Sequence, residues 1–161
     1  MKKKIAIIGD LIVDKYKYFK ATRLSPEGPA PIVKKEHEVV IAGGAGNVAI
    51  SLSNLFDEID FYFAFSKRQE NLSSNLIKNL FEDKFVNLHF ITSEKDLIIP
   101  LKTRYYVDNQ NFMREDNEEK VLSEYSAIDQ KLIRKIVKDY EIIILSDYQK
   151  GFISPENLEF L

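Results

Sequence analysis

The chain has 161 residues, 45% hydrophobic and 30% charged, the profile of a globular protein long enough to bury a core as one domain. Its 23 basic and 25 acidic side chains leave a formal net charge of −2, so no basic field draws it to nucleic acid or to a membrane surface. Cysteine is absent, which excludes disulfides and thiolate metal sites and agrees with a cytoplasmic protein.

Lys2-Lys3-Lys4 ahead of Ile5-Ala6-Ile7-Ile8 has the outline of a signal peptide, but the apolar run stops at Gly9-Asp10. That is too short for a signal sequence, and no later run is long enough to span a bilayer. Ile5 to Ile8 instead reads as a strand buried on both faces of a parallel sheet. Gly9-Asp10-Leu11-Ile12-Val13-Asp14 follows, with two carboxylates just beyond the strand's carboxyl end, where open α/β sheets hold ligands. The structural alternatives are a turn cap for Asp10 and plain solvation for Asp14. The G-x-G-x-x-G of a dinucleotide fold is missing after this strand, which excludes that fold.

Extended segments are expected at about 14–20 and 32–41, separated by Arg23-Leu24-Ser25-Pro26-Glu27-Gly28-Pro29-Ala30-Pro31, whose three prolines rule out a helix. Two strands inserted here do not belong to a plain βαβ unit. They describe a small sheet projecting from the main body and suited to cover a site. Ala42-Gly43-Gly44-Ala45-Gly46-Asn47 then opens a helix running to about Leu55, with Val48, Ala49, Leu52, Leu55 and Phe56 at helical spacing. Its glycines let the backbone approach a ligand, and a helix N-terminus presents unpaired amides. Asn47, at or near the cap, can cap the helix or offer its amide to a sugar hydroxyl.

Ile59 to Phe65 reads as an aromatic-rich strand, Asn71 to about Lys84 as a helix, and Val86 to Ile91 as another strand. His37 and His89 are read as packing residues. Leu101 to Val107 and Phe112 to Glu115 flank the turn Asp108-Asn109-Gln110-Asn111 and form an expected hairpin, on which Arg104 and Arg114 lie near each other or are simply exposed charges. Glu115 to Glu119 reads as a solvated loop. Ala127 to Tyr140 is an amphipathic helix and Ile142 to Leu145 a second fully apolar strand, ending in Ser146-Asp147-Tyr148-Gln149-Lys150-Gly151. Ser154-Pro155-Glu156 starts a last helix, with serine as cap.

Four of these segments, in this order, carry a resemblance. Gly9-Asp10-x-x-x-Asp14, Arg23 to Val33, Gly43-Gly44-Ala45-Gly46-Asn47-Val48-Ala49 and Leu145 to Gly151 closely resemble the start of the ribokinase-like (phosphofructokinase-B-type) carbohydrate kinases. Within that family they look most like the heptose 7-phosphate kinase branch, where two residues rather than three separate the second glycine from the asparagine. The resemblance implies an α/β fold: a three-layer α/β/α body with a small β lid, residues 1–161 forming the N-terminal part of one kinase domain and stopping after the first half of the sheet. It implies ATP and Mg2+ for the complete enzyme and transfer to the anomeric hydroxyl of D-glycero-D-manno-heptose 7-phosphate. Asp14, Gly43, Gly44 and Asn47 would hold sugar hydroxyls, Asp147 and Lys150 would touch sugar, phosphate or metal, and Arg23 and Arg104 would meet the 7-phosphate. The family's G-A-G-D motif, which brings the catalytic base, does not occur in these 161 residues, and neither Asn117-Glu118 nor Asn157-Leu158-Glu159 matches the N-x-x-E that lies near its metal. No catalytic residue is therefore expected within the chain, and the resemblance puts the base beyond Leu161. The expected partners are a small sugar phosphate and the missing C-terminal kinase half, with no nucleic acid and no membrane; a homodimer is compatible with the sequence.

Overall fold

The structure is a computed structural model, and it describes residues 4–66, 73–92, 98–118 and 128–159. In chain order its elements are β1 (Ile5–Gly9), β2 (Leu11–Leu24), β3 (Pro31–Gly44), α1 (Ala45–Ser53), β4 (Ile59–Phe65), α2 (Ser74–Leu80), β5 (Val86–Thr92), β6 (Leu101–Val107), β7 (Gln110–Asn117), α3 (Gln130–Asp139), β8 (Ile142–Ser146) and α4 (Pro155–Leu158). Among the described residues they form two four-stranded sheets, ordered β5-β4-β1-β8 and β3-β2-β6-β7.

The first sheet is parallel throughout, and Ile5 of β1 lies opposite Ile59 of β4 on one side and Ile142 of β8 on the other. A strand flanked on both edges and covered on both faces must be apolar at every position, which is what Ile5-Ala6-Ile7-Ile8 provides. On one face Ile7, Phe61 and Phe63 join Ala45 and Ala49 of α1 and Ile77 of α2. On the other Ala6, Ile8 and Tyr62 join Ile133 and Ile136 of α3 together with Phe152 and Ile153. The body is therefore three layers, α/β/α, as the resemblance implied.

The second sheet projects from that body. Its base, Val13, Val40 and Leu101, belongs to the first core, while the strands become exposed toward their outer ends. The projecting strands are longer than the expected 14–20 and 32–41. Each has 14 residues, because the apolar Leu11-Ile12-Val13 and the glycines at 43–44 carry the pairing down into the body. The lid also contains the 101–117 hairpin, with β6 pairing parallel to β2. The hairpin turn is tighter than the expected tetrad: Asp108 and Asn109 take φ of 49° and 64°, the two-residue geometry whose twist suits a hairpin. Glu115–Asn117 extend β7 and are not a loop, their alternating pairs with β6 keeping them in register. Glu119 lies outside the described residues.

The helices start where capping chemistry dictates. Ser73 and Asp129 accept from the amides of Leu76 and Leu132, fixing the starts of α2 and α3. The expected first residues of these two helices, Asn71 and Ala127, lie outside the described residues. Ser154 stands at the N-cap of α4 with proline after it, but its side chain makes no capping bond. Leu161, beyond which the catalytic base is expected, also lies outside the described residues, which reach 159. His37 stacks on Tyr18 at 4.4 Å, and His89 stacks on Tyr62 at 4.2 Å with Nε2 2.5 Å from Asp60 Oδ1. Beside it the Tyr62 and Tyr140 hydroxyls hydrogen-bond at 2.8 Å, and burial pushes both phenols above their ordinary pKa.

Candidate functional site

The glycine loop is shaped by contacts that leave no space for a side chain. Gly44 is the residue before α1, with φ 56° and ψ −135°, and a Cβ there would strike the Asp10 carbonyl and the Ile12 side chain. Ala45 N–H, the first of the helix, donates to the Asp10 carbonyl at 3.0 Å. Asn47 is thus not the cap; it sits in the first turn, exposed, with no side-chain partner among the described residues. Gly43 lies across from Ile12, and the Asp14 carboxylate is seated directly over it, in the space a Cβ would occupy. Gly43 and Asp14 therefore form one unit.

Arg104 completes that unit. It stands opposite Tyr16 on β6, its guanidinium 5.3 Å from the Tyr16 ring, and Nη1 donates to Asp14 Oδ1 at 2.5 Å. The two side chains are only 16% and 22% exposed, so Arg104 is not the ordinary solvated charge that was the structural alternative. The Asp14 carboxylate raises the guanidinium pKa further, and Arg104 stays charged. Arg114, directly across on β7, turns instead to Asp116 at 2.8 Å.

A second unit forms where β1 and β8 end. Asp10 is the single residue between β1 and β2, it is 4% exposed, and its carboxylate accepts the amides of Tyr148, Lys150 and Phe152. Burial raises its pKa, the Tyr148 and Lys150 amides oppose that, and Asp147 adds to the rise. Asp147 is exposed and accepts the Gln149 amide at 2.8 Å, while Lys150 Nζ pairs with Glu118, just past β7, at 2.9 Å. Asp147 and Lys150 are thus tied to the glycine loop through Asp10. Arg23 is not brought in: exposed near the outer end of β2, it stands nine residues beyond Asp14, roughly 30 Å along one strand.

Sequence reasoning gives Asp10 only a turn-capping or ligand-facing role and passes over Glu118. The signal present for Asp10 is its place as the sole link between a buried strand and a projecting one. Among the described residues no three His, Cys, Asp or Glu side chains converge to hold a metal ion. Among them, too, no helix is long and apolar enough to cross a membrane.

No protein-family model matches the chain. It is 31% identical over 159 residues to the bifunctional protein HldE of Nitratiruptor sp., covering 97% of this chain and 33% of that protein. The HldE of Hydrogenovibrio crunogenus is 33% identical over 150 residues, 93% of this chain and 30% of that protein. Among solved structures, a carbohydrate kinase from Agrobacterium tumefaciens superposes with a TM-score of 0.61 at 17% identity, over 90% of this chain and 45% of its own. Phosphofructokinase-2 from Escherichia coli, in complex with fructose-6-phosphate, also reaches 0.61, at 14% identity, over 98% and 49%. The chain spans about one third of the length of the curated relatives and just under half of these structures. With its two sheets, its glycine loop and these likenesses, the chain has the ribokinase-like carbohydrate-kinase fold and is a partial-length relative of the bifunctional HldE proteins.

Proposed function

We propose that the chain supplies the sugar-binding side of a carbohydrate kinase that phosphorylates D-glycero-D-manno-heptose 7-phosphate at its anomeric hydroxyl, using ATP. The observation that carries this reading is the Asp14 carboxylate seated over Gly43, beside the start of α1. A carboxylate so placed accepts hydrogen bonds from sugar hydroxyls, and the Arg104 ion pair holds it oriented. The guanidinium has five N–H donors, so those not used on Asp14 can take the 7-phosphate. Asn47 offers an amide from the helix's first turn, and Asp147 and Lys150 border the site from the β8 side. Arg23, so far along β2, has no part in this inner site. The heptose is favoured over other sugars by the HldE likeness and by the two-residue glycine-to-asparagine spacing.

Phosphoryl transfer depends on positioning both reactants and on electrostatic stabilisation of the moving group. These residues position the acceptor; the base and the anion-stabilising amides are assigned to the G-A-G-D segment that the 161 residues do not contain. The 161-residue chain is therefore expected to bind the sugar phosphate and to transfer nothing from ATP, and a chain completed with the missing half is expected to turn over. Calorimetry with the heptose 7-phosphate tests the binding step: Asp14→Asn should weaken it by roughly 1.5–3 kcal/mol, the range for a hydrogen bond to a charged group. Equal affinity in the two proteins would remove Asp14 from the site. The alternative, a module that binds a sugar phosphate or a partner without chemistry, shares the binding step and is favoured if the completed chain stays inactive.

A further inference from the structure

We propose that Asp10 is a positioning residue of this site: its buried carboxylate locks the loop after β8 in the conformation that carries Asp147 and Lys150 beside the glycine loop. The inference rests on the carbohydrate reading above and extends it to a residue that contacts no sugar.

The loop from Asp147 to Ile153 has no helix or strand to hold it. Its order comes from every second amide: Tyr148 and Lys150 donate to Asp10 Oδ2 at 2.8 and 3.2 Å, and Phe152 donates to Oδ1 at 3.3 Å. The intervening residues, Gln149 and Gly151, take φ of 58° and 87°. Such alternation turns the amides of Tyr148, Lys150 and Phe152 to one side and makes a concave anion seat. Here the anion is the protein's own side chain. An uncharged residue cannot satisfy the seat, since a serine or asparagine offers one acceptor atom, and the asparagine's NH2 would face the donors.

The same residue binds the other parts of the site through its main chain. Asp10 N–H donates to the Ser146 carbonyl at 3.2 Å, and its own carbonyl accepts Ala45 N–H at the start of α1. Lys150, fixed by its amide, then reaches Glu118 beyond β7. One buried residue, its carboxylate on the loop amides and its main chain on Ser146 and Ala45, thus links the end of β8, the glycine-loop helix and the loop that reaches the lid. Among the described residues Asp147 is the charged side chain that acts on it, while β1, β2 and α1 present Gly9, Leu11 and Ala45 around it.

The test uses the full chain, with its kinase partner half where one is available, and the heptose 7-phosphate as probe. In Asp10→Asn the amides of Tyr148, Lys150 and Phe152 should exchange with solvent at least tenfold faster, and sugar-phosphate affinity should fall at least tenfold, while melting stays cooperative. A variant-free measurement guards against a misfolded mutant: in the wild type those three amide resonances should shift together through one common midpoint as pH is lowered. The part of the affinity's pH dependence that follows this midpoint should vanish in Asp10→Asn, which a merely structural role would not produce. Unequal midpoints, or an Asp10→Asn protein that binds within twofold of wild type, would overturn the proposal for Asp10 alone. A wild type that binds no sugar phosphate would overturn the carbohydrate reading, and with it the role given to Asp10 there.

Discussion

The two sheets of this protein are held together by different physics. In the body, all five residues of β1 are buried and their stabilisation is apolar burial against helices on both faces. In the lid, all eight residues of β7 are exposed, and cohesion comes from side chains meeting across strands. Tyr18 stacks on His37 and on Tyr106, Arg104 lies over Tyr16, and Lys17 lies over Tyr105. The body is stable chiefly by exclusion of water. The lid keeps charges and rings half in water, where they can be redirected to a ligand, and its cost is weak independent stability. The proposed site lies where the two meet, at Asp10, Asp14 and Gly43–Gly44.

The largest test of this contrast is Phe61→Ala, which removes a fully buried ring from the body. It should lower the unfolding free energy by about 3–5 kcal/mol in chemical denaturation, the range for such truncations. At the junction, Gly44→Ala should cost about 1–3 kcal/mol from its disfavoured backbone geometry alone, before the clash with Asp10. It should also displace the start of α1, read as lost exchange protection at Ala45. In the lid, Tyr18→Ala should cost only about 0.5–1.5 kcal/mol, the worth of its ring contacts. Its exchange signature should be confined to β2, β3 and β6; equal loss of protection in β1 would show that the sheets unfold as one.

The smallest effect concerns pH. Asp10 has a folded pKa above its ordinary value, so between the two values the folded chain holds more protons than the unfolded one. Its contribution to stability therefore falls as pH rises through that window and is constant above it. Urea midpoints of wild type and Asp10→Asn, compared from pH 4 to 8, should show the wild type losing ground as pH rises. A difference that grows in its favour would reverse the assignment.

How much of this is legible in the sequence follows the same division. The continuous apolar runs at 5–8 and 142–145 announce parallel strands; β1 is buried throughout, whereas β8, at the end of the described sheet, is half-buried with Leu145 exposed. Glycines 43 and 44 announce a close approach, though not that the neighbour is a carboxylate from the opposite strand. The lid is harder to read. Nothing local in Leu101–Val107 says that it pairs parallel with a strand some 90 residues earlier, and so the contact of Arg104 with Asp14 could not be placed. Asp10 is harder still, since its partners are backbone amides and every residue type but proline carries the same amide.

The lid's two long strands join the body without a linker: β2 begins one residue after β1 ends, and β3 runs straight into α1. Mechanically this is a lever with its fulcrum at residue 10. A 14-residue strand reaches roughly 46 Å, whereas Asp14 stands only about 13 Å from the fulcrum. A tilt that moves Asp14 by about 1 Å sweeps the tip near Leu24 by between about three and four, at the rise of a β-strand per residue. Run in reverse, a modest force on the exposed tip, where Leu24 is 74% accessible, arrives at Asp14 multiplied by the same ratio. A weak grip at the far end of the lid is therefore geared to act strongly on the carboxylate at its root.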